Sequence, residues 1–291
     1  MSFNGVYTAI VTPFKDGKID YPSFEKHIEQ QIAGGVTGIV AVGTTGESPT
    51  LHINEHSEVI KFVVDQVAGR KQVIAGTGGN STDEAIQLTK QAFKDGADAS
   101  LQVTPYYNKP TQEGLFQHFT AISDAAPELP IVLYNVPGRS ATEIAIDTVA
   151  RLAENPNIPV IKEAGGSVDR VSRIKAVADI TVLSGDDALT LPMMSVGAAG
   201  VISVISNIMP AEMVKLVKLA AAMDYKAAGE LHHKLYPLMR DLFIESNPIP
   251  IKTLVSLMGF CDAEFRLPMV NISDNSKRVL LESAAKAGFK Y

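Results

Sequence analysis

Eight short runs of apolar and β-branched residues constrain the fold more than any other feature, because a stretch with helical spacing of apolar residues follows each run. The runs begin near Val6, Thr37, Gln72, Ala99, Pro130, Pro159, Ile180 and Gly200. Since their residues are apolar on both faces, the runs indicate parallel strands covered by helices on both sides. Eight such units fit a closed (β/α)8 TIM barrel, which typically takes about 250 residues. An open doubly wound sheet is the alternative, but its G-x-G-x-x-G turn is absent after residues 6–11.

The chain after Pro210 lacks strand-like runs, and its Ala- and Leu-rich segments indicate helices. We therefore predict a (β/α)8 catalytic barrel over residues 1–224 and a C-terminal helical region over residues 225–291. Ser81, Asn54 and Thr111 precede acidic or amphipathic stretches and are predicted N-caps, because their side-chain oxygens can accept hydrogen bonds from free N–H groups of a first helical turn.

Charge and cysteine content argue against several classes of function. The 26 Lys and Arg face 32 Asp and Glu, a net charge of −6 with no basic block, so nucleic-acid binding is not expected. The single Cys261 cannot form an internal disulfide, which favours a reducing compartment. No apolar run reaches the roughly 20 residues that span a bilayer, and no signal peptide is visible at the N-terminus. We predict a cytoplasmic protein without membrane or nucleic-acid partners.

Polar residues cluster where four of the predicted strands end, at the barrel face that carries active sites. The clusters span residues 43–47, 104–108, 134–139 and 162–163. Lys162 is two residues after Val160 and therefore shares its orientation, which is inward if that face lines the barrel. Burial would lower the pKa of the ammonium and free an amine that attacks carbonyl carbon. The alternative is a lysine that reaches solvent and pairs with Glu163.

The neighbouring clusters supply groups that could assist such an amine. Tyr134, one strand away, could exchange protons with the reacting atoms, or it could serve packing alone. Thr44 and Thr45 lie between glycines, in a turn whose backbone N–H groups suit a carboxylate or which is a plain tight loop. Arg139 follows a Pro-Gly turn and could bind a second carboxylate, or it is an ordinary surface arginine.

One metal-binding pattern is present, because residues 52–56 have the H-x-x-E-H spacing of some zinc hydrolases. With Asn54 as N-cap, His52 would precede the helix, and the rings of His52 and His56 would not converge on a metal. We therefore predict no metal site. A zinc hydrolase and a non-catalytic binding barrel are the alternatives from other functional classes.

Several motifs occur together in an order and at spacings that match a known family. They are VTPF at 11–14, GTTGES at 43–48, VTPYYN at 103–108, YNVPGR at 134–139, IKEA at 161–164, LSGDD at 183–187 and SNPIP at 246–250. The chain resembles the dihydrodipicolinate synthase family, within the superfamily of pyruvate-dependent class I aldolases and N-acetylneuraminate lyases. The resemblance covers nearly the whole chain. It implies a cofactor-free lyase of lysine and diaminopimelate biosynthesis that condenses pyruvate with L-aspartate 4-semialdehyde.

The resemblance also implies catalytic roles for individual residues. Lys162 would form a Schiff base with pyruvate, and the resulting enamine would attack the aldehyde of the second substrate. Tyr134, Thr44 and Tyr107 would form a proton relay. Because Tyr107 would reach in from a neighbouring subunit, a homo-oligomer is expected, either a dimer or a tetramer.

Further residues match positions that bind substrate in the family. Thr45 would hold the carboxylate of pyruvate, and Arg139 would hold that of the semialdehyde. Gly185 and Ile202 would line the pyruvate pocket. The Thr44-Thr45 pair and Arg139 distinguish the chain from pyruvate-dependent sugar-acid lyases, such as N-acetylneuraminate or 2-keto-3-deoxy acid aldolases, which are the alternative within the superfamily.

The resemblance also implies a site at a subunit interface where lysine binds as an inhibitor. The matching residues are Ser48, His56, Asn80, Glu84 and Tyr106. Ile53, however, stands where lysine-sensitive enterobacterial members have histidine. We therefore predict weak or moderate inhibition by lysine.

Overall fold

The structure, a computed structural model, describes residues 2–290 and contains a closed barrel of eight parallel strands. The strands are β1 Gly5–Ala9, β2 Gly38–Ala41, β3 Gln72–Gly76, β4 Ala99–Val103, β5 Ile131–Asn135, β6 Val160–Glu163, β7 Thr181–Ser184 and β8 Gly200–Ser203. Successive strands pair in parallel, and β1 closes the ring by pairing with both β2 and β8. The predicted TIM barrel is confirmed, and each strand begins within one residue of its predicted start.

Helices cover the outside of the barrel and form the C-terminal region. They are α1 Tyr21–Ala33, α2 Ile53–Val67, α3 Thr82–Lys94, α4 Gln112–Ala125, α5 Pro137–Ser140, α6 Ile146–Ala153, α7 Val168–Val177, α8 Thr190–Ser195, α9 Pro210–Ala221, α10 Tyr225–Asp241, α11 Ile249–Leu257 and α12 Asp274–Ala287. A short hairpin, Phe14–Lys15 with Lys18–Ile19, follows β1. Within residues 2–290, none of the helices is long and apolar enough to cross a membrane.

The predicted helix starts can be compared with the observed caps. Ser81 and Thr111 are N-caps, and their hydroxyls accept hydrogen bonds from the backbone N–H groups of Glu84 and Gly114. The prediction for Asn54 is wrong, because α2 begins at Ile53 and its N-cap is His52. The backbone N–H of His52 donates to the Glu55 carboxylate at 3.1 Å, so a carboxylate in the first turn anchors this helix start.

Alternation along the strands determines which side chains enter the barrel. One buried cluster fills the interior and includes Tyr7, Ala9, Val40, Ile74, Leu101, Val132, Tyr134, Val160, Leu183 and Ile202. Ile161, on the opposite face of β6, packs instead in a cluster with helix residues such as Val171 and Ile174. Lys162 therefore shares the inward orientation of Val160 at the end of β6.

The C-terminal helices pack on the barrel through a common core. This core contains Val201 of β8 and Met213 of α9 together with Leu235, Leu254 and Leu280 from α10, α11 and α12. A division of the chain at residues 224 and 225 stays a prediction. Leu242, in the segment between α10 and α11, belongs to the same core.

Candidate active site

Lys162 is a buried lysine at the barrel mouth, with 7% of its surface exposed. Its Nζ lies 4.2 Å from the ring centroid of Tyr134. Burial lowers the pKa of its ammonium to about 7, an effect that the negative charge of Asp187 opposes and the positive charge of Arg139 reinforces. Glu163 is engaged elsewhere, since it accepts hydrogen bonds from Asn135 and forms an ion pair with Arg170. The arrangement leaves an amine that is uncharged in a large fraction of molecules at neutral pH.

Tyr134 is the neighbour of Lys162 on the adjacent strand, because the two residues are paired in the register of β5 and β6. Its side chain is buried, and burial raises the pKa of its phenol above the ordinary value. A phenol of raised pKa stays protonated, so it can donate a proton to an oxygen that develops negative charge.

A small cavity of about 40 Å³ brings the predicted site residues together. The predicted residues that line it are Thr44, Thr45, Tyr134, Arg139, Lys162 and Gly185. Ile202 is buried nearby in the interior cluster that contains Tyr134 and Leu183, and Val204 lines the cavity two residues later. Polar residues such as Arg139 and Asn247 line the cavity together with apolar ones such as Val40 and Leu101, a combination that suits a small keto acid.

The threonine pair lies in a compact turn after β2. The turn is closed by hydrogen bonds from Gly46 N–H and Ser48 N–H to the carbonyl of Gly43. Thr44 is half-buried, whereas Thr45 is buried and its Oγ1 accepts a hydrogen bond from Asn247 Nδ2 at 2.9 Å. Thr44 thus lines the cavity, and the hydroxyl of Thr45 is fixed by a residue of the C-terminal region.

Asn247 is a site residue that the sequence analysis did not identify. Its side-chain amide donates to Thr45, and its backbone carbonyl accepts a hydrogen bond from Arg139 Nη2 at 3.4 Å. It lies 202 positions from Thr45 in the chain. The only sequence signal for it was the SNPIP motif in the helical tail, which the resemblance includes without assigning a role.

Two residues after β7 shape the surroundings of Lys162. A Cβ at Gly185 would lie 3.0 Å from Cε of Lys162 and 2.7 Å from Cβ of Ala164, so the absence of a side chain makes room for the lysine. Asp187 is buried, and its Oδ2 accepts hydrogen bonds from the N–H groups of Val204 and Ile205. Burial raises the pKa of this carboxyl to about 6. Asp187 is therefore the acidic group whose charge acts on Lys162. The LSGDD motif contains this residue, but the sequence analysis assigned it no role.

Tyr107 does not join the cavity of its own chain. Its side chain is 90% exposed, and its backbone has a φ of 73°, in the left-handed region that a tyrosine rarely adopts. The strained turn after β4 directs this aromatic side chain outward. Such conformations cluster at functional sites, where the surrounding structure holds them.

The residues predicted as an effector site border a larger cavity of about 400 Å³ beside the barrel mouth. Ser48, His56, Glu84 and Tyr106 line it, and Asn80 donates a hydrogen bond to the carbonyl of Tyr106 at 3.3 Å. Thr44, Tyr134 and Arg139 line both cavities, so the two lie side by side at the mouth.

The histidines of the H-x-x-E-H pattern lie in different environments. His52 is exposed at the N-cap of α2, whereas His56 is buried and its Nε2 lies 2.9 Å from the carbonyl of Gly76. Among residues 2–290, no three His, Cys, Asp or Glu side chains are grouped closely enough to hold a metal ion.

Comparison with known proteins gives the family context of this site. The model of the dihydrodipicolinate synthetase family matches residues 2–287. The 4-hydroxy-tetrahydrodipicolinate synthase of Endomicrobium trichonymphae is 55% identical over 286 residues, 98% of each chain. A crystal structure of chloride-inhibited dihydrodipicolinate synthase from Acinetobacter baumannii complexed with pyruvate is 48% identical with a TM-score of 0.96, covering 99% of this chain and 100% of that one. The enzyme from Cyanidioschyzon merolae with lysine bound is 41% identical with a TM-score of 0.95, covering 98% of each chain.

Proposed function

The chain belongs to the dihydrodipicolinate synthetase family, whose members are lyases that condense pyruvate with L-aspartate 4-semialdehyde, and we propose that Lys162 is the nucleophile of this reaction here. One observation carries the proposal. Lys162 is buried at the carboxyl end of β6, beside the ring of Tyr134, with a pKa lowered to about 7. An amine with an ordinary lysine pKa would be uncharged in only about 0.03% of molecules at pH 7, whereas a pKa of about 7 raises that fraction to about one half.

The chemistry follows from an amine that attacks the ketone of pyruvate. Addition of Nζ gives a carbinolamine, which loses water to form an iminium that makes the methyl C–H bonds acidic. Loss of one of these protons gives an enamine, whose carbon attacks the aldehyde of the second substrate to form the new C–C bond. The α-amine of that substrate then attacks the iminium carbon, and the expelled Nζ leaves Lys162 free while the heterocycle closes.

Proton transfers in this sequence need groups at the cavity wall. We assign them to Tyr134 and Thr44, because both line the cavity that holds Lys162. The phenol of Tyr134 would donate a proton to the leaving water and take one back in a later step. Thr44, whose hydroxyl is half-buried, would pass protons between Tyr134 and the outside.

The two substrate carboxylates are assigned to different residues that line the cavity. Thr45 and the backbone of its turn would hold the carboxylate of pyruvate, since Thr45 is fixed by Asn247. Arg139 lies at the mouth and would hold the carboxylate of the semialdehyde. Gly185 leaves the space that the lysine adduct needs, and Ile202 would support the wall below it.

The family is oligomeric, although one solved dihydrodipicolinate synthase variant is monomeric, and we propose that this chain forms at least a dimer in which Tyr107 of one subunit completes the relay of its partner. The support is the exposure of Tyr107, whose strained backbone directs it away from its own cavity. A dimer would bury this aromatic side chain and supply the third hydroxyl. We place the enzyme in the cytoplasm, where its single cysteine needs no partner.

We also propose that the larger cavity binds lysine as a weak inhibitor. The Cyanidioschyzon merolae relative has lysine bound, and Glu84 in this chain offers a carboxylate for a lysine ammonium. Ile53, which is 57% exposed, lines the cavity without a polar group. We expect half-maximal inhibition above about 1 mM, which corresponds to a binding free energy weaker than about −4 kcal/mol.

A trapping experiment tests the proposed nucleophile. Borohydride reduction in the presence of pyruvate should add a reduced pyruvyl group to Lys162, identified by peptide mass spectrometry. Turnover should require L-aspartate 4-semialdehyde, with N-acetylneuraminate and 2-keto-3-deoxy acids as negative controls. An adduct on Lys162 with cleavage of a sugar acid instead would identify a sugar-acid lyase. Absence of any adduct would refute the Schiff-base reaction and leave a hydrolase or a binding protein.

A further inference from the structure

A second buried lysine lies outside the catalytic cavity. Lys252 of α11 is 0% exposed, and its Nζ lies 4.0 Å from the ring centroid of Phe14 and 5.2 Å from that of Phe265. The Nζ donates a hydrogen bond to Oε1 of Glu47 at 2.7 Å, and Glu47 is itself only 3% exposed. The two charges form an ion pair that is almost completely removed from solvent.

Glu47 is the last residue of the turn that carries the two threonines. Its backbone has a φ of 55°, a left-handed conformation that is costly for a residue with a side chain. Its N–H donates to the carbonyl of Thr44 at 3.1 Å, and its Oε2 accepts a hydrogen bond from Arg266 N–H. The carboxylate therefore holds the end of the turn in a conformation that the backbone alone would disfavour.

The segment that contains Lys252 also contacts the turn near the cavity. Asn247, five positions before Lys252, donates to Oγ1 of Thr45 at 2.9 Å. The turn is thus held at two points by one short segment, at Thr45 by an amide and at Glu47 by an ammonium. Two attachments fix both the position and the rotation of the residues between them.

Stability alone does not account for this ion pair. The cost of removing two charges from water often equals or exceeds their attraction, so a buried pair can be replaced by apolar groups of similar volume without loss of stability. What such a pair does supply is geometry, because a short charge-assisted hydrogen bond fixes the distance between two elements. Glu47 and Lys252 touch neither the cavity nor the substrates assigned to it.

We propose that Glu47 and Lys252 are positioning residues for catalysis, which hold the Thr44-Thr45 turn in register with the segment before α11. The inference rests on the proposed roles of Thr44 and Thr45 toward pyruvate and the proton relay. Loss of the pair would let the turn shift while the barrel stays folded. A displacement of about 1 Å in a catalytic group can reduce the rate by about 10²-fold.

The test is the double variant E47Q/K252M, which removes both charges and leaves neither one unpaired. We expect the thermal midpoint to be equal to or above that of the wild type. We expect kcat to fall by about 10- to 100-fold and the KM for pyruvate to rise, while the KM for the semialdehyde stays within about twofold. Rates are expressed per active site, counted by the borohydride-trapped adduct, so that loss of folded protein does not affect them.

Two further proteins complete the test. K252R retains the charge but not the length of the side chain, and it should show the same rise in pyruvate KM with a smaller loss of kcat. The matched control is K61M/D65N, which removes an exposed ion pair on α2 and should leave both constants unchanged. If E47Q/K252M does not fold, K252R alone decides.

The results separate this inference from the proposed function. Wild-type kcat and pyruvate KM in a folded E47Q/K252M or K252R protein would overturn the positioning role and leave the Schiff-base proposal intact. A uniform loss of active sites with unchanged constants per site would also overturn it, because it would show a purely structural pair. Absence of an adduct on Lys162 in the wild type would instead overturn the proposed function itself.

Discussion

Lys162 and Lys252 are two buried lysines of one barrel, and their differences show how burial can serve opposite purposes. Each lies about 4 Å from the centroid of an aromatic ring, at 4.2 Å for Lys162 and 4.0 Å for Lys252. Burial lowers the pKa of both. Lys252, however, is bonded to a carboxylate at 2.7 Å, whereas no ion pair within 4 Å involves Lys162 in residues 2–290.

A carboxylate partner therefore distinguishes a structural lysine from a nucleophilic one. The attraction of Glu47 opposes the effect of burial on the pKa of Lys252, and the hydrogen bond from Nζ to its carboxylate fixes a turn. At Lys162 the opposing charge is Asp187, which two backbone N–H groups also engage. The uncharged amine persists where the countercharge is weak, and only there can it attack a carbonyl.

The largest expected effect is the loss of catalysis on removing the unpaired lysine. Lys162→Ala should reduce turnover by about 10³-fold or more, because no other group here can form the iminium. The adduct after borohydride reduction should disappear, whereas the circular dichroism spectrum should not change. Lys252→Ala is the comparison, and it should still form the adduct on Lys162. Trapped pyruvate on another lysine of the Lys162→Ala protein would contradict the assignment.

Replacement of each lysine by methionine should change stability in opposite directions. Lys252→Met leaves the buried Glu47 without its countercharge and should lower the free energy of unfolding by about 3–5 kcal/mol. Lys162→Met should raise it at pH 7, by about 4 kcal/mol, because a lowered pKa means that the folded state disfavours the charged amine.

The size of the stability gain from Lys162→Met depends on pH, and urea titration can measure it. Unfolded chains bind the Lys162 proton up to about pH 10.5, whereas the folded protein releases it near pH 7. The contribution of Lys162 to the free energy of unfolding of the wild type therefore rises with pH between about 7 and 10.5. The gain from Lys162→Met should accordingly shrink toward pH 10. A gain that is the same at pH 7 and pH 10 would show that the substitution acts by packing alone.

Tyr134→Phe should have a smaller effect, which lowers kcat and leaves pyruvate binding nearly unchanged. Removal of the phenol oxygen deletes the proton donor but keeps the ring beside Nζ, so we expect kcat to fall by about 10²-fold. Pyruvate KM should change little. Stopped-flow measurement of adduct formation would locate the slow step. The control is Tyr236→Phe, because Tyr236 lies on α10, is partly exposed and does not line the cavity. Near-normal turnover in Tyr134→Phe would show that the relay does not use this residue.

The smallest expected change is a shift in the pH dependence of adduct formation. Wild-type rates should rise through a midpoint near pH 7, as Lys162 loses its proton. Asp187→Asn keeps an acceptor for the N–H groups of Val204 and Ile205 but removes the negative charge that raises this pKa. The midpoint should therefore move down by about 1 unit. Asp65→Asn, at an exposed site, should leave it in place; an upward shift in Asp187→Asn would contradict the electrostatic account.

The sequence by itself determined the barrel and the residues on its rim. Runs of apolar residues with the period of strands and helices are local, and so is the alternation that puts Lys162 on the same face as Val160. Motif order was sufficient to identify the family, which the comparisons confirmed. The exception in local structure was the start of α2, where His52 rather than Asn54 is the N-cap. The Glu55 carboxylate accepts a hydrogen bond from the backbone N–H of His52, and this bond favours a helix that begins at Ile53.

Only the tertiary structure decided which buried charges meet. Asn247 lies 202 positions from Thr45, and Lys252 lies 205 positions from Glu47, so no local pattern relates them. The state of a titratable group depends on how much water surrounds it and which charges lie within a few ångströms. These quantities exist only after the chain has closed its barrel and packed the C-terminal helices onto it, which is why one lysine became a proposed nucleophile and the other a fixed cation.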